Sequence, residues 1–321
     1  MSAVIARLRR GGTAPRWQPW VRAAVGAGIL VSIVAAAGAE PFVRGFMSVS
    51  PPAVAAAMLL AAAATVAASW RWRILAGRLG LRLGWGESVA AYYRSQFLNS
   101  VLPGGVVGDV DRAVAHGRSV DQVAHAARAV AVERASGQAV QFVLAIALVV
   151  SIGISAYAPV MALLLVSFAV VVVTVAISAA SPRVRVVLVR EASILRTAFG
   201  SVGTVLGVAA ASAVVVTAHI ATFLVACAAV GVAASPEQVT VAAIVPVLAS
   251  SIPLSIGGWG PREGAAAWAF GAVGLGAAAG ITAATAYGVL AMIAVAPGAV
   301  VVTVSLLRRR ATAGVAGRAA P

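Results

Sequence analysis

Residues 99–112 read NSVLPGGVVGDVDR, and residues 250–263 read SSIPLSIGGWGPRE. Each stretch places proline, glycines and an arginine beside a carboxylate between runs that are otherwise almost wholly apolar. Proline and glycine interrupt helices, and at membrane depth the backbone groups they release must be satisfied by protein or by a water-filled cavity. The two stretches are therefore read as helix breaks facing each other, at Pro103, Gly104, Gly105 and Gly108 in the first and at Pro253, Gly257, Gly258 and Gly260 in the second.

The rest of the chain supplies the membrane. Of its 321 residues, 61% are hydrophobic and 10% charged, against the roughly 25% charged of a soluble domain, and the mean hydropathy is +1.00. A net charge of +15 comes from 24 basic residues, all arginine, against nine acids. The arginines stand in blocks beside apolar runs, which is an orientation signal rather than a nucleic-acid surface. No nucleic-acid partner is expected. The lone Cys227 lies in an apolar run and is read as a small buried residue.

Arginine placement orders the spans. Residues 1–22 form a basic cytoplasmic segment, with Trp17 and Trp20 as an interfacial collar. A first span over 23–39 is followed by an outer loop over 40–52 and a second span over 53–70, which ends at Arg71, Arg73, Arg78 and Arg82. Ala37-Gly38-Ala39 has the form of a signal cleavage site, but the long polar lead and the repeat described next favour an uncleaved helix. Residues 86–102 are too short and polar to cross, and a crossing there would put Arg112, Arg118, Arg128 and Arg134 outside. A re-entrant hairpin from the cytoplasmic side removes the conflict.

Spans over 135–154 and 160–180 follow, then a basic interfacial helix over 181–200 and a span over 202–225. A last span over 281–307 ends in Arg308-Arg309-Arg310, so residues 238–276 make an even number of crossings, as a second hairpin from outside does. The expected fold is all-α: six transmembrane helices plus two re-entrant helical hairpins in an inverted-topology repeat, with halves at 23–155 and 160–307. The single membrane domain is 23–307, and 308–321 is a basic cytoplasmic tail. Such repeats place substrate sites where discontinuous helices of the two halves meet.

Ionisable groups at membrane depth cost about 2.5–3.5 kcal/mol or more each and are functional candidates by default. Glu40, Glu87, Asp121, Glu191 and Glu237 fall in loops or at helix starts. Asp109, Asp111, Glu133 and Glu263 remain, close to Arg112, Arg134 and Arg262. Glu133 and Arg134 are adjacent and do not face each other on a helix, so Asp109 with Arg134 and Glu133 with Arg112 are the fitting bridges. The bland reading is ion pairs that lock the hairpins; the functional one is arginines holding a phosphate beside glycine amides and helix N-termini. Gly257-Gly258-Trp259-Gly260 and the Pro103–Asp109 segment lack the context of a nucleotide loop. His116, His125 and His219 are dispersed and suggest no zinc site. No cofactor is expected.

At these residues the chain resembles the membrane domain of the lysylphosphatidylglycerol synthase family and its stand-alone, flippase-like relatives. Asn99 and Pro103, Gly108-Asp109 with Arg112, Glu133-Arg134, and then Pro253, Gly257-Gly258, Gly260 and Arg262-Glu263 carry the resemblance, in the family's order. The family's usual Gly-Gly-Asp is Val107-Gly108-Asp109 here. The resemblance implies a polytopic, lipid-handling protein. With no aminoacyl transferase domain after Arg310, the expectation is a lipid flippase or transporter of the inner membrane, acting on a phospholipid or polyprenyl-phosphate-type lipid with an anionic headgroup. Asn99, Asp109, Arg112, Glu133, Arg134, Arg262 and Glu263 would form the headgroup site. The alternatives are a metal-dependent glycosyl or phosphoryl transferase using Asp109 and Asp111, and a non-catalytic scaffold for envelope-synthesis enzymes. In a Cys227→Ala background, cysteines placed at residues 118 and 308 should both be labelled from the cytoplasmic side; labelling from opposite sides would overturn the topology.

Overall fold

The structure, a computed structural model, describes residues 18–252 and 256–318. Pro253 lies outside them, as does most of the basic N-terminal segment. Among the described residues every regular element is a helix. In chain order they are α1 (Gln18–Ala37), α2 (Glu40–Met47), α3 (Pro51–Arg78), α4 (Trp85–Val101), α5 (Val107–Ser119), α6 (Val123–Ile152) and α7 (Ala158–Ala179), followed by α8 (Pro182–Ala198), α9 (Val202–Ala229), α10 (Pro236–Ala249), α11 (Pro261–Ala272), α12 (Ala277–Ala294) and α13 (Pro297–Arg318).

Among the described residues six spans are long and apolar enough to cross a bilayer: α1, α3, α6, α7, α9, and α12 continued into α13. α7 leaves Val170, Val171, Val172 and Val173 exposed in one run. Such a surface belongs in lipid, and the protein is a polytopic membrane protein.

The element bounds correct four expectations. The segment after the first span is not a plain loop, because Glu40–Met47 forms a helix with Pro41 in its first turn. The second span continues through Trp70-Arg71-Trp72-Arg73 to Arg78, which draws Arg71 into the protein interior at 5% exposure. α6 starts at Val123 and not near 135, so Glu133 and Arg134 sit well inside the spanning helix rather than just ahead of the span. The last span is interrupted at Val295–Ala296 before Pro297, where a proline cannot supply the amide that a continuous helix needs.

Helices α3 and α9 form the most extensive contact. They run antiparallel: Gly207 near the start of α9 lies against Ile74 near the end of α3, and Ala57 shares a core cluster with Phe223 and Ala226. The element order of the first half, a span, a short helix, a span, a helix pair and a span, recurs in the second. So do the contacts. Exchanging the halves maps α3·α4 onto α9·α10, α4·α5 onto α10·α11, α5·α6 onto α11·α12, and α3·α6 onto α9·α12. The peripheral α1, α2, α7 and α8 do not follow this exchange.

Each helix pair turns where its glycines allow. Gly104 and Gly105 take φ of 97° and 60° between α4 and α5, and Gly257, Gly258 and Gly260 take 58°, 81° and 94° ahead of α11. These left-handed values suit glycine. Gly108 is different: it lies inside α5, where a Cβ would run into the Ser95 backbone of α4. It is a packing glycine and not a break. Its neighbour Val107 keeps a half-buried side chain at the first turn of α5, so a side chain is accommodated where the family usually has glycine. Gly108→Ala should lower stability by about 1–3 kcal/mol through overpacking, and Val107→Ala by less, as read from thermal unfolding in detergent micelles; equal effects would count against this packing.

Candidate functional site

The first helix pair is held by its own polar residues. Val106, at the N-cap of α5, has no side chain able to cap. Asn99 of α4 does it instead: its Oδ1 accepts the Gly108 N–H at 2.7 Å, and its Nδ2 donates to Asp109 Oδ2 at 3.1 Å. Asp109 Oδ1 accepts from Ser95 Oγ and from Arg112 Nε, each at 3.1 Å. The second pair caps differently. Glu263, in the first turn of α11, reaches back so that its Oε2 accepts the Gly260 N–H at 2.6 Å.

Glu133 is the centre of the ion network. Its Oε1 accepts from the Arg71 guanidinium of α3 and from Tyr92 Oη of α4 at 3.1 Å, while Oε2 accepts from Arg112 Nη2 of α5 at 2.5 Å. Arg71 also donates to Ser212 Oγ of α9 at 2.9 Å. Arg134, one residue on, points elsewhere and pairs with Asp109 Oδ2. Both bridges suggested by the sequence, Asp109 with Arg134 and Glu133 with Arg112, are present. Arg71 and Tyr92 were not expected there. The sequence reading places Arg71 in the arginine block that ends the second span, and the signal for its inward place is the helix-compatible continuation of α3 through Trp70–Arg73.

In the second pair, adjacent Arg262 and Glu263 do bond, with Arg262 Nε and Nη2 donating to Glu263 Oε1 at 2.9 and 2.6 Å. The two arginines share a setting. The Arg112 guanidinium lies 4.4 Å from the Tyr92 ring and 4.8 Å from the Trp72 ring; that of Arg262 lies 4.7 Å from Trp259 and 5.7 Å from Tyr287. Such stacking suits a desolvated guanidinium. A glycine makes room beside an arginine in each half: a Cβ on Gly137 would strike Arg71, and one on Gly288 would strike Arg262.

The tips of the two pairs touch, so closely that a Cβ added at Gly257 would stand 2.9 Å from the Ser100 carbonyl oxygen. Beside this contact lies a cavity of about 270 Å³ reached by α3, α4, α6, α9 and α12. Of the expected headgroup residues, Asn99 and Arg134 line it, along with Arg71, Tyr92, His219 and Tyr287. Arg112, Glu133, Asp109, Arg262 and Glu263 sit behind the wall. Arg112 is 1% exposed at its side chain, whereas Arg134 is 44% exposed, and among the described residues its one hydrogen-bond partner is Asp109. Tyr287 Oη and His219 Nδ1 lie 3.2 Å apart on the cavity's far side.

Three arginines, 71, 112 and 134, meet two carboxylates, 109 and 133, which leaves one formal positive charge. Of the three, Arg134 is the exposed one, and it stands on the cavity with donors that Asp109 does not take. Asp109 and Asp111 do not converge on a metal, since Asp111 turns to Arg94 at 2.7 Å while Asp109 is spent on Arg112 and Arg134. Removing Arg112 takes a charged donor from each of two buried carboxylates, while Glu133 keeps Arg71 and Asp109 keeps Arg134, so Arg112→Gln should cost about 1.5–3 kcal/mol. Arg134→Gln should cost about 1 kcal/mol or less, as for a half-exposed pair, which unfolding midpoints of the two variants will compare.

A protein-family model described as the lysylphosphatidylglycerol synthase TM region matches residues 20–299, from α1 into α13. No curated protein and no solved structure matches the chain. With the matched region covering nearly all of the spans and both helix pairs, the chain belongs to the lysylphosphatidylglycerol synthase transmembrane-region family.

Proposed function

We propose that the protein is a lipid transporter of the flippase kind, moving a phospholipid or polyprenyl-phosphate-type lipid across the cytoplasmic membrane with both termini cytoplasmic. The observation that carries this reading is the half-exposed Arg134, from a cluster with one surplus positive charge, at the wall of a cavity beside the point where the two broken helix pairs meet. A phosphate oxygen can accept the guanidinium donors that Asp109 leaves unused, in a charge-assisted bond. The two pairs enter the bilayer as re-entrant hairpins from opposite faces, and the repeated contact pattern supports an inverted-topology repeat around the cavity. A cavity of about 270 Å³ has room for several waters, and so for a headgroup whose acyl or prenyl chains stay in the bilayer.

Within this mechanism, Arg134 binds the phosphate, Asn99 and Asp109 orient that arginine, and Arg112 with Glu133 holds the first hairpin in register. Arg262 and Glu263 hold the second. Alternating access comes from rocking one half against the other along α3 and α9, their largest shared surface. An envelope-synthesis enzyme is the partner that would supply or consume the lipid.

Purified protein in vesicles containing tail-labelled phosphatidylglycerol should speed transbilayer movement above that of empty vesicles. Arg134→Gln should slow it about tenfold or more, because a hydrogen bond to a charged group contributes about 1.5–3 kcal/mol. Movement at the empty-vesicle rate across a panel of phospholipids and polyprenyl phosphates would overturn the transport reading.

A further inference from the structure

The central cavity is one-sided in charge. Among its described lining residues the charged side chains are Arg71 and Arg134, and no carboxylate is present. The nearby carboxylates are already used: Asp109 by Ser95, Asn99, Arg112 and Arg134, and Glu133 by Arg71, Tyr92 and Arg112. The other polar groups that face the space are neutral, the amides of Gln96, Gln138 and Gln141, the hydroxyl of Ser250 and the ring of His219, and they stand among apolar side chains such as Val216, Val247 and Val295. Amides and hydroxyls both donate and accept, as the hydroxyls of a polyol or sugar do.

An ammonium brought into this space meets a guanidinium of like charge and finds no open carboxylate. A hydroxylated head meets partners for its donors and its acceptors. Resting on the transport reading, we infer that the cavity takes a phosphodiester lipid whose head is hydroxylated and carries no cation, of the glycerol, inositol or sugar type, and that it excludes heads bearing an ammonium. Both a glycerophospholipid and a polyprenyl-phosphate sugar satisfy that chemistry.

The test uses the delipidated full chain in detergent, with its unfolding midpoint followed by tryptophan fluorescence as lipids are added. The lipids are phosphatidylglycerol, phosphatidylinositol, a polyprenyl-phosphate hexose, phosphatidylethanolamine and lysylphosphatidylglycerol. At least one of the first three should stabilise the protein at a concentration about tenfold or more below that needed by the last two. The better of the glycerophospholipid and polyprenyl arms identifies the chain type. Equal potency across all five, or preference for an ammonium lipid, overturns the inference. In vesicles, equal movement of all five overturns head selectivity while leaving transport standing, and movement of none overturns transport while the unfolding series still decides selectivity. Gln138→Glu adds a carboxylate to the wall and should draw the two lipid classes towards equal potency; an unchanged ratio in a folded variant counts against the proposal.

Discussion

The carboxylate of Glu133 is buried at full depth in protein, and four helices are tied to one another through it. Arg71 brings α3, Tyr92 brings α4, Arg112 brings α5, and Glu133 itself stands on α6. An isolated charge in that position would be prohibitively costly. It is tolerated because each oxygen accepts charged donors and because glycine at 137 lets the Arg71 guanidinium lie flat against α6. The arrangement also limits motion. The α4–α5 pair cannot withdraw from α6 without exposing unpaired charge, so the rocking proposed above would fall to the α3–α9 contact, where packing dominates and Arg71 to Ser212 is the buried side-chain hydrogen bond that crosses it.

The two helix pairs solve one physical problem in two ways. A helix that begins at a break leaves amides without partners, and in the bilayer water does not supply them. The first pair borrows Asn99 from the preceding helix; the second bends Glu263 back to its own N-cap. Each then stacks an arginine between a tryptophan and a tyrosine. They differ in charge. Arg262 and Glu263 cancel, while the first cluster keeps one positive charge more than it needs. The structural and functional readings of the cluster are therefore compatible, because Arg112 and Glu133 brace the wall from behind while Arg134 is the arginine left exposed on the cavity.

The spans, the two breaks and the pairing of Asp109 with Arg134 and Glu133 with Arg112 were legible because apolar length and scarce charge are one-dimensional signals. Where several acids and arginines share an apolar setting, few partners exist. The rule that keeps adjacent Glu133 and Arg134 apart does not extend to Arg262 and Glu263, where a long arginine at the first turn curls back to the carboxylate at the next position. Gly108 was misread for a related reason, since a glycine needed for close approach and one needed for a turn look alike until the facing backbone of Ser95 is seen.

Alone, the sequence determined that this is a helical membrane protein with two proline- and glycine-broken segments bearing its intramembrane charge, because hydrophobic length and arginine bias are written residue by residue. Tertiary structure decided which charges are spent and which remain. Arg71 joins the cluster from 62 residues before Glu133, and the neutral lining of the cavity comes from residues on separate helices. No local pattern encodes that convergence, since it depends on how closely glycine and alanine surfaces let those helices approach.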